Sequence, residues 1–246
     1  MNRYNRPHQK GRSNPHYAAA RRAMVLLILL IGAIAGWQWL QEHPQHNPLA
    51  PLDLRDPPGW ATRTKLIALR SDVTECRAVL ARSDIAFTTL PPTGEGECAR
   101  PDRTRLGDYP LAPDTPAVSC PVAAALELWR HDSVAPAARS ILGSDIARIE
   151  HLGAYSCRRM YGGTDSPWSE HATANAIDIA AFVLEDGRRI SVLGDWDGSD
   201  KEAAFLRQVR QGACESFATV LSPDYNAAHA DHFHLDQDDR WAGVCR

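Results

Sequence analysis

Residues 176–184 read Ala-Ile-Asp-Ile-Ala-Ala-Phe-Val-Leu, an apolar run broken by one carboxylate, Asp178. Nine residues, eight of them apolar with Ile, Val and Phe among them, have the length and composition of a buried β-strand. Asp186-Gly187 follows as a turn, and residues 189–193 return as a hairpin partner. Working outward, residues 146–155 read as a strand, as do the short runs 219–221 and 232–235. Helical spacing dominates earlier in the chain. Residues 62–83 place Leu66, Leu69, Val73, Cys76 and Leu80 on one face. Residues 121–132 and 136–142 each open on a proline, at Pro121 and Pro136, and the second ends at Gly143. Ser199-Asp-Lys-Glu202 has the capping-box pattern and opens a helix to about residue 218, with Phe205, Leu206, Val209 and Ala213 inward. Between these, residues 89–117 hold six prolines and three glycines and read as a long surface loop that Cys98 could tie down. The expected fold is α+β, a small mostly antiparallel sheet flanked by helices.

One further helix is expected at the N-terminus. Residues 24–40, Met-Val-Leu-Leu-Ile-Leu-Leu-Ile-Gly-Ala-Ile-Ala-Gly-Trp-Gln-Trp-Leu, contain one polar side chain, Gln38. The stretch suits a transmembrane segment, with Trp37 and Trp39 at the far interface. Arg3, Arg6, Lys10, Arg12, Arg21 and Arg22 precede it with no acid among residues 1–24. That flank keeps the N-terminus in the cytoplasm and sends the body out, as an uncleaved anchor or, through the Ala33-Ile-Ala35 pattern, as a cleaved signal. The chain thus divides into a basic tail 1–23, an apolar segment 24–40, a Pro-rich linker 41–60 and a domain 61–246. Of the net −3, the first 24 residues contribute +6 and the remainder −9, which argues against nucleic acid as the partner of the folded part. With 44% apolar residues the chain is not disordered. Cys76, Cys98, Cys120, Cys157, Cys214 and Cys245 are even in number and lack any C-x-x-C pair. Three disulfides in an oxidising compartment follow, with the pairing open. The sequence sets no oligomeric state.

Three of the ten histidines fall within six residues, His229, His232 and His234. On a strand, His232 and His234 share a face and Phe233 takes the other. A carboxylate inside an apolar strand is costly unless paired or bound to a metal, and His171 lies seven residues before Asp178. His171, Asp178 and one or two of the later histidines supply three N/O donors, the number a catalytic zinc site uses while leaving a place for water. No H-E-x-x-H or G-x-S-x-G occurs, so zincin and α/β-hydrolase chemistry are excluded.

The pattern His171-x6-Asp178 with His232-x-His234 resembles the LAS metallopeptidases, which include lysostaphin-type enzymes, zinc D-alanyl-D-alanine carboxypeptidases and a murein endopeptidase. Tyr155-Ser-Cys-Arg158, Ser169-Glu-His-Ala, Asn175 to Phe182, Val220 to Asn226 and His232-Phe-His-Leu-Asp236 more closely resemble the bacterial extensin-like C-terminal domain family, over about residues 70–246. The resemblance implies an LAS-peptidase-like fold, Zn2+ as cofactor and His171, Asp178 and His234 as its ligands. It implies His232 as general base, His229 as the histidine steadying the transition state, and Arg158, with Arg159 as rival, on the substrate carbonyl or carboxylate. Ser169 is implied beside substrate. The implied activity is zinc-dependent hydrolysis of peptidoglycan peptide bonds by a protein anchored in the inner membrane through residues 24–40, single-pass, with the C-terminal domain in the periplasm. The alternative is a non-catalytic, zinc-stabilised module binding cell wall or protein.

Overall fold

The computed structural model describes residues 15–238, 240 and 243–246. Helix α1 (Pro15–Glu42) is longer than residues 24–40, because Ala18-Ala-Ala-Arg-Arg22 are strong helix formers and continue it backward. An 18-residue window within His16–Glu42 has a mean hydropathy of 2.1, and none of that window is buried. At 1.5 Å per residue His16–Glu42 reaches about 40 Å, long and apolar enough to cross a membrane. Arg3, Arg6, Lys10 and Arg12 of the expected basic tail lie outside the described residues.

Residues 41–60 are not an extended linker along their whole length. A single 3-10 turn, Pro44–His46, follows α1, and Leu52 and Leu54 are buried in the core of the domain. Burying these two apolar side chains outweighs the extended preference of the prolines around them. Helices α2 (Thr62–Ala68) and α3 (Val73–Arg82) divide the run expected as one helix. Asp72 interrupts it by accepting the Glu75 N–H at 2.9 Å as an N-cap.

The proline-rich segment after α3 carries strands of its own. β1 (Phe87–Thr89) and β2 (Thr104–Leu106) pair antiparallel, and β3 (Leu111–Ala112) adds to the main sheet. Helix α4 (Cys120–Trp129) is buried at all ten positions. It is apolar on every side and runs through the middle of the molecule. Its one charge, Glu127, is held by Arg130 at 2.7 Å. Pro136 does not start a separate helix. Residues 120–142 are one helical run in which α5 (Ala135–Ala137) is flanked by two wide turns, Arg130–Val134 and Ala138–Leu142. A proline ring clashes with the carbonyl four residues back in an α-helix, and widening the turn moves that carbonyl aside.

The main sheet is mixed. β4 (Ile146–Gly153), β5 (Ala176–Leu184), β6 (Arg189–Ser191), β7 (Thr219–Leu221), β8 (Phe233–Asp236) and β9 (Val244–Cys245) join β3 in the order β3-β4-β5-β8-β7-β9, with β6 on β5. The β3–β4 and β7–β9 pairs are parallel and the others antiparallel. Short helix α6 (Val192–Asp195) follows β6. Helix α7 (Lys201–Ser216) starts one residue later than the capping-box register, since Asp200, not Ser199, accepts the Ala203 N–H. The core lies where α4 and α7 meet the sheet. Trp129 stacks edge-on with Phe182 at 5.9 Å and Phe217 at 6.3 Å, and its indole N–H donates to the Val209 carbonyl.

All six cysteines pair. Cys76–Cys120 joins α3 to α4, Cys98–Cys157 ties the proline-rich segment down beside the strand β4 leaves, and Cys214–Cys245 joins α7 to β9.

Candidate metal centre

Strand register brings the first two groups together. Asp178 on β5 stands directly opposite His234 on β8, and directly opposed residues of an antiparallel pair project to one face. On its other side Asp178 faces Gly153 of β4. That glycine adopts φ +134, a conformation L side chains avoid, and with no side chain opposite Asp178 the space is open. His171 comes from the turn Glu170–Thr173 that leads into β5. Ser169 caps this turn by accepting the His171 N–H, and Ala174 closes it at φ 59.

The three donor atoms form a near-equilateral triangle. His171 Nε2 is 3.1 Å from Asp178 Oδ1 and 3.1 Å from His234 Nδ1, and His234 Nδ1 is 3.0 Å from Asp178 Oδ1. The outer ring nitrogens are also engaged. His171 Nδ1 faces the Ala154 carbonyl at 3.2 Å, and His234 Nε2 faces Asp236 Oδ2 at 2.9 Å. Both partners only accept, so each outer nitrogen carries its hydrogen. In a neutral ring the inner nitrogen is then a bare lone pair. Two such lone pairs and a carboxylate oxygen pointing at one another require a positive charge between them. Atoms 2.0–2.1 Å from a shared tetrahedral ion stand about 3.3 Å apart, close to the separations seen, and an N, N, O donor set suits zinc. The residues present therefore fit a divalent ion.

A proton competes for the same place. Burial alone would lower the His234 pKa, but hydrogen bonds and charge from Asp178 and Asp236 raise it to about 9. Burial would raise the Asp178 carboxyl, yet the bonds from His171 and His234 outweigh it and hold it far below the usual carboxylate range.

Around this triangle opens a cleft of about 560 Å³. His232, one residue before β8, directs Nε2 to within 3.6 Å of Asp178 Oδ1, while its Nδ1 bonds to Asp231 at 2.7 Å. His229 ends the turn Ala227–His229 and bonds to the Asn226 side chain at 2.8 Å. Its ring centroid lies 6.0 Å from that of His234, too far to join the triangle. Burial, then the neighbouring His232 and His234, lower its pKa to about 4, so it is neutral at pH 7. Arg158 lines the cleft with an exposed side chain. Arg159 turns away, its guanidinium over the Trp168 ring at 4.6 Å and on the Ser166 carbonyl. Ser169 lines the cleft and caps the turn together.

A family model described as extensin-like protein C-terminus matches residues 74–246, 173 of the 246 positions. The chain belongs to the extensin-like C-terminal family. No curated protein and no solved structure matches it. Within this extensin-like domain, sequence reasoning assigned no role to Asp231, to Asp236, or to Tyr161 and Tyr225, which also line the cleft. Asp236 had a usable signal, since it shares a strand face with His234 two residues away. The Ala154 carbonyl had none, because a backbone oxygen carries no sequence signature.

Proposed function

We propose that this extensin-like protein is a membrane-anchored zinc hydrolase that cuts peptidoglycan peptide bonds in the periplasm. The observation that carries the reading is the pair of outer hydrogen bonds, from His171 to the Ala154 carbonyl and from His234 to Asp236. They turn two lone pairs and the Asp178 carboxylate onto one point, an arrangement metal-binding histidines share. Inner-membrane anchoring, a cytoplasmic N-terminus and a periplasmic domain are supported by the helix α1, its basic flank and three disulfides.

Residues His171, Asp178 and His234 would hold the ion. Zinc, when bound, supplies Lewis acidity that makes water a nucleophile near neutral pH and polarises a carbonyl. His232 is placed to take the water's proton at Nε2. Asp231 fixes its tautomer through Nδ1 and stabilises the imidazolium that forms. The same proton then goes to the leaving amine. His229 lines the same cleft, but its neutral ring spends its one N–H on the Asn226 oxygen, so it would donate toward developing negative charge only once protonated at Nε2. Arg158 offers a planar pair of donors to a substrate carbonyl or carboxylate.

The test is digestion of purified murein by the full chain and by His232→Ala. Wild type releases peptide products that a chelator abolishes and zinc restores. His232→Ala keeps its zinc and its fold and loses about 10²–10⁴ in rate. Identical products from both proteins sink the catalytic assignment. A chelator that only unfolds the protein, with no turnover under any condition, leaves the non-catalytic binding module.

A further inference from the structure

The junction between α1 and the domain is built as a fixed joint with an exposed apolar skirt. The three carbonyls of the turn that follows α1 are all taken by the domain's first residues. Pro44 O accepts from Lys65 Nζ at 2.7 Å, Gln45 O from the Ala61 N–H at 3.2 Å, and His46 O from the Trp60 indole N–H. The Trp60 N–H also reaches His46 Nδ1 at 3.3 Å. Gly59 makes the approach possible, since a Cβ there would meet Gln45 O at 2.4 Å. The rings of Trp39, at the end of the apolar span, and of His43 and His46 stack at 4.5 and 5.3 Å, and Trp60 closes on Trp39 edge-on at 6.2 Å.

These contacts set depth. Trp39 ends an apolar helix, the position where tryptophan sits in the headgroup layer. Trp60 touches it, so Trp60 lies within one ring diameter of the same layer. Yet Trp60 is 70% exposed, and Leu49, three residues past the His46 that Trp60 packs on, is 80% exposed. Large apolar side chains left bare at one place mark a surface with a partner. Their continuity with the end of the span selects which one.

We propose that Trp60 and Leu49 insert into the lipid headgroup region next to α1, so the domain is seated on the bilayer instead of hanging from a free tether. The inference rests on the reading of α1 as a membrane span, and the test separates the two. The full chain, labelled with fluorotryptophan, is placed one copy per nanodisc of phosphatidylethanolamine and phosphatidylglycerol. Fluorine resonances are assigned with Trp37→Phe and Trp60→Phe. They are then broadened either by a lipid spin-labelled near its headgroup or by an aqueous gadolinium chelate.

The expected result is loss of both the Trp37 and Trp60 resonances to the spin-labelled lipid and survival of both in the chelate. Loss of Trp60 to the chelate while Trp37 answers only to lipid overturns the seat and leaves the span intact. Trp60 silent to both agents means that protein covers it, which also overturns the seat. Trp37 lost to the chelate removes the span and the seat together.

Discussion

Asp236→Asn tests the proposed centre through a residue outside the proposed ligand set. Asp236 accepts twice, from His234 Nε2 through Oδ2 at 2.9 Å and from the Asp238 N–H through Oδ1 at 2.9 Å. Asparagine has one oxygen and one NH2, so one of the two donors must lose its acceptor. If the amide oxygen keeps Asp238, the NH2 faces His234 and forces the ring's hydrogen onto Nδ1, the atom that points into the triangle. If the oxygen keeps His234, the turn after β8 loses its anchor and the ring loses the negative charge that makes it basic. Either way zinc affinity falls. Replacing such outer partners costs about 10–100-fold, or about 1.4–2.8 kcal/mol. Competition against a fluorescent chelator measures this directly, with circular dichroism showing that the fold survives. Wild-type zinc affinity in a folded Asp236→Asn protein would refute the tautomer argument, and with it the assignment of His234 Nδ1 as a ligand.

The metal-stripped protein should lose stability as pH rises. His234 in the fold has its pKa raised to about 9, against about 6.5 unfolded, so its contribution is whole below pH 6.5 and gone above about 9. The loss is roughly 3 kcal/mol, and thermal melts across that window should fall for the apo protein and stay level with zinc bound. Asp231→Asn should retain zinc and lower murein turnover by about 10-fold or more, since His232 loses its orienting carboxylate; equal turnover would remove the dyad from the mechanism. Cys76→Ala with Cys120→Ala frees a 44-residue separation and should cost about 4 kcal/mol in denaturant melts. Gly153→Ala, forced to φ +134, should cost about 1–3 kcal/mol and loosen the strand beside Asp178, seen as weaker zinc binding in the same competition assay.

Much of the fold was legible because it follows from local patterns. The apolar run 176–184, the Asp186-Gly187 turn and the inward residues of α7 depend on neighbours within a few positions. In two of the misreadings a tertiary contact outranked a local preference. Pro136 reads as a helix start, but α4 continues through it because the buried run has nowhere else to go. Residues 41–60 read as an extended spacer, but Leu52 and Leu54 reach the core. Ser199 reads as the cap and Asp200 takes the role, a one-residue competition between two good capping groups. In the site, Arg158 and Arg159 are neighbours with the same chemistry, and only packing against Trp168 tells them apart.

By itself the chain's order of residues determined that an apolar N-terminal helix precedes an α+β body, that six cysteines are even in number, and that imidazoles and a carboxylate recur at strand spacing. These are matters of composition and period, and they need no knowledge of what lies across the molecule. The tertiary structure alone decided which cysteines meet, that Asp178 stands opposite His234 with a glycine on its other side, and which nitrogen of each imidazole faces inward. Those depend on register and on acceptors such as the Ala154 carbonyl, 17 residues from His171. Hydrogen bonds act only at contact distance, and a linear order of residues does not state which atoms come into contact.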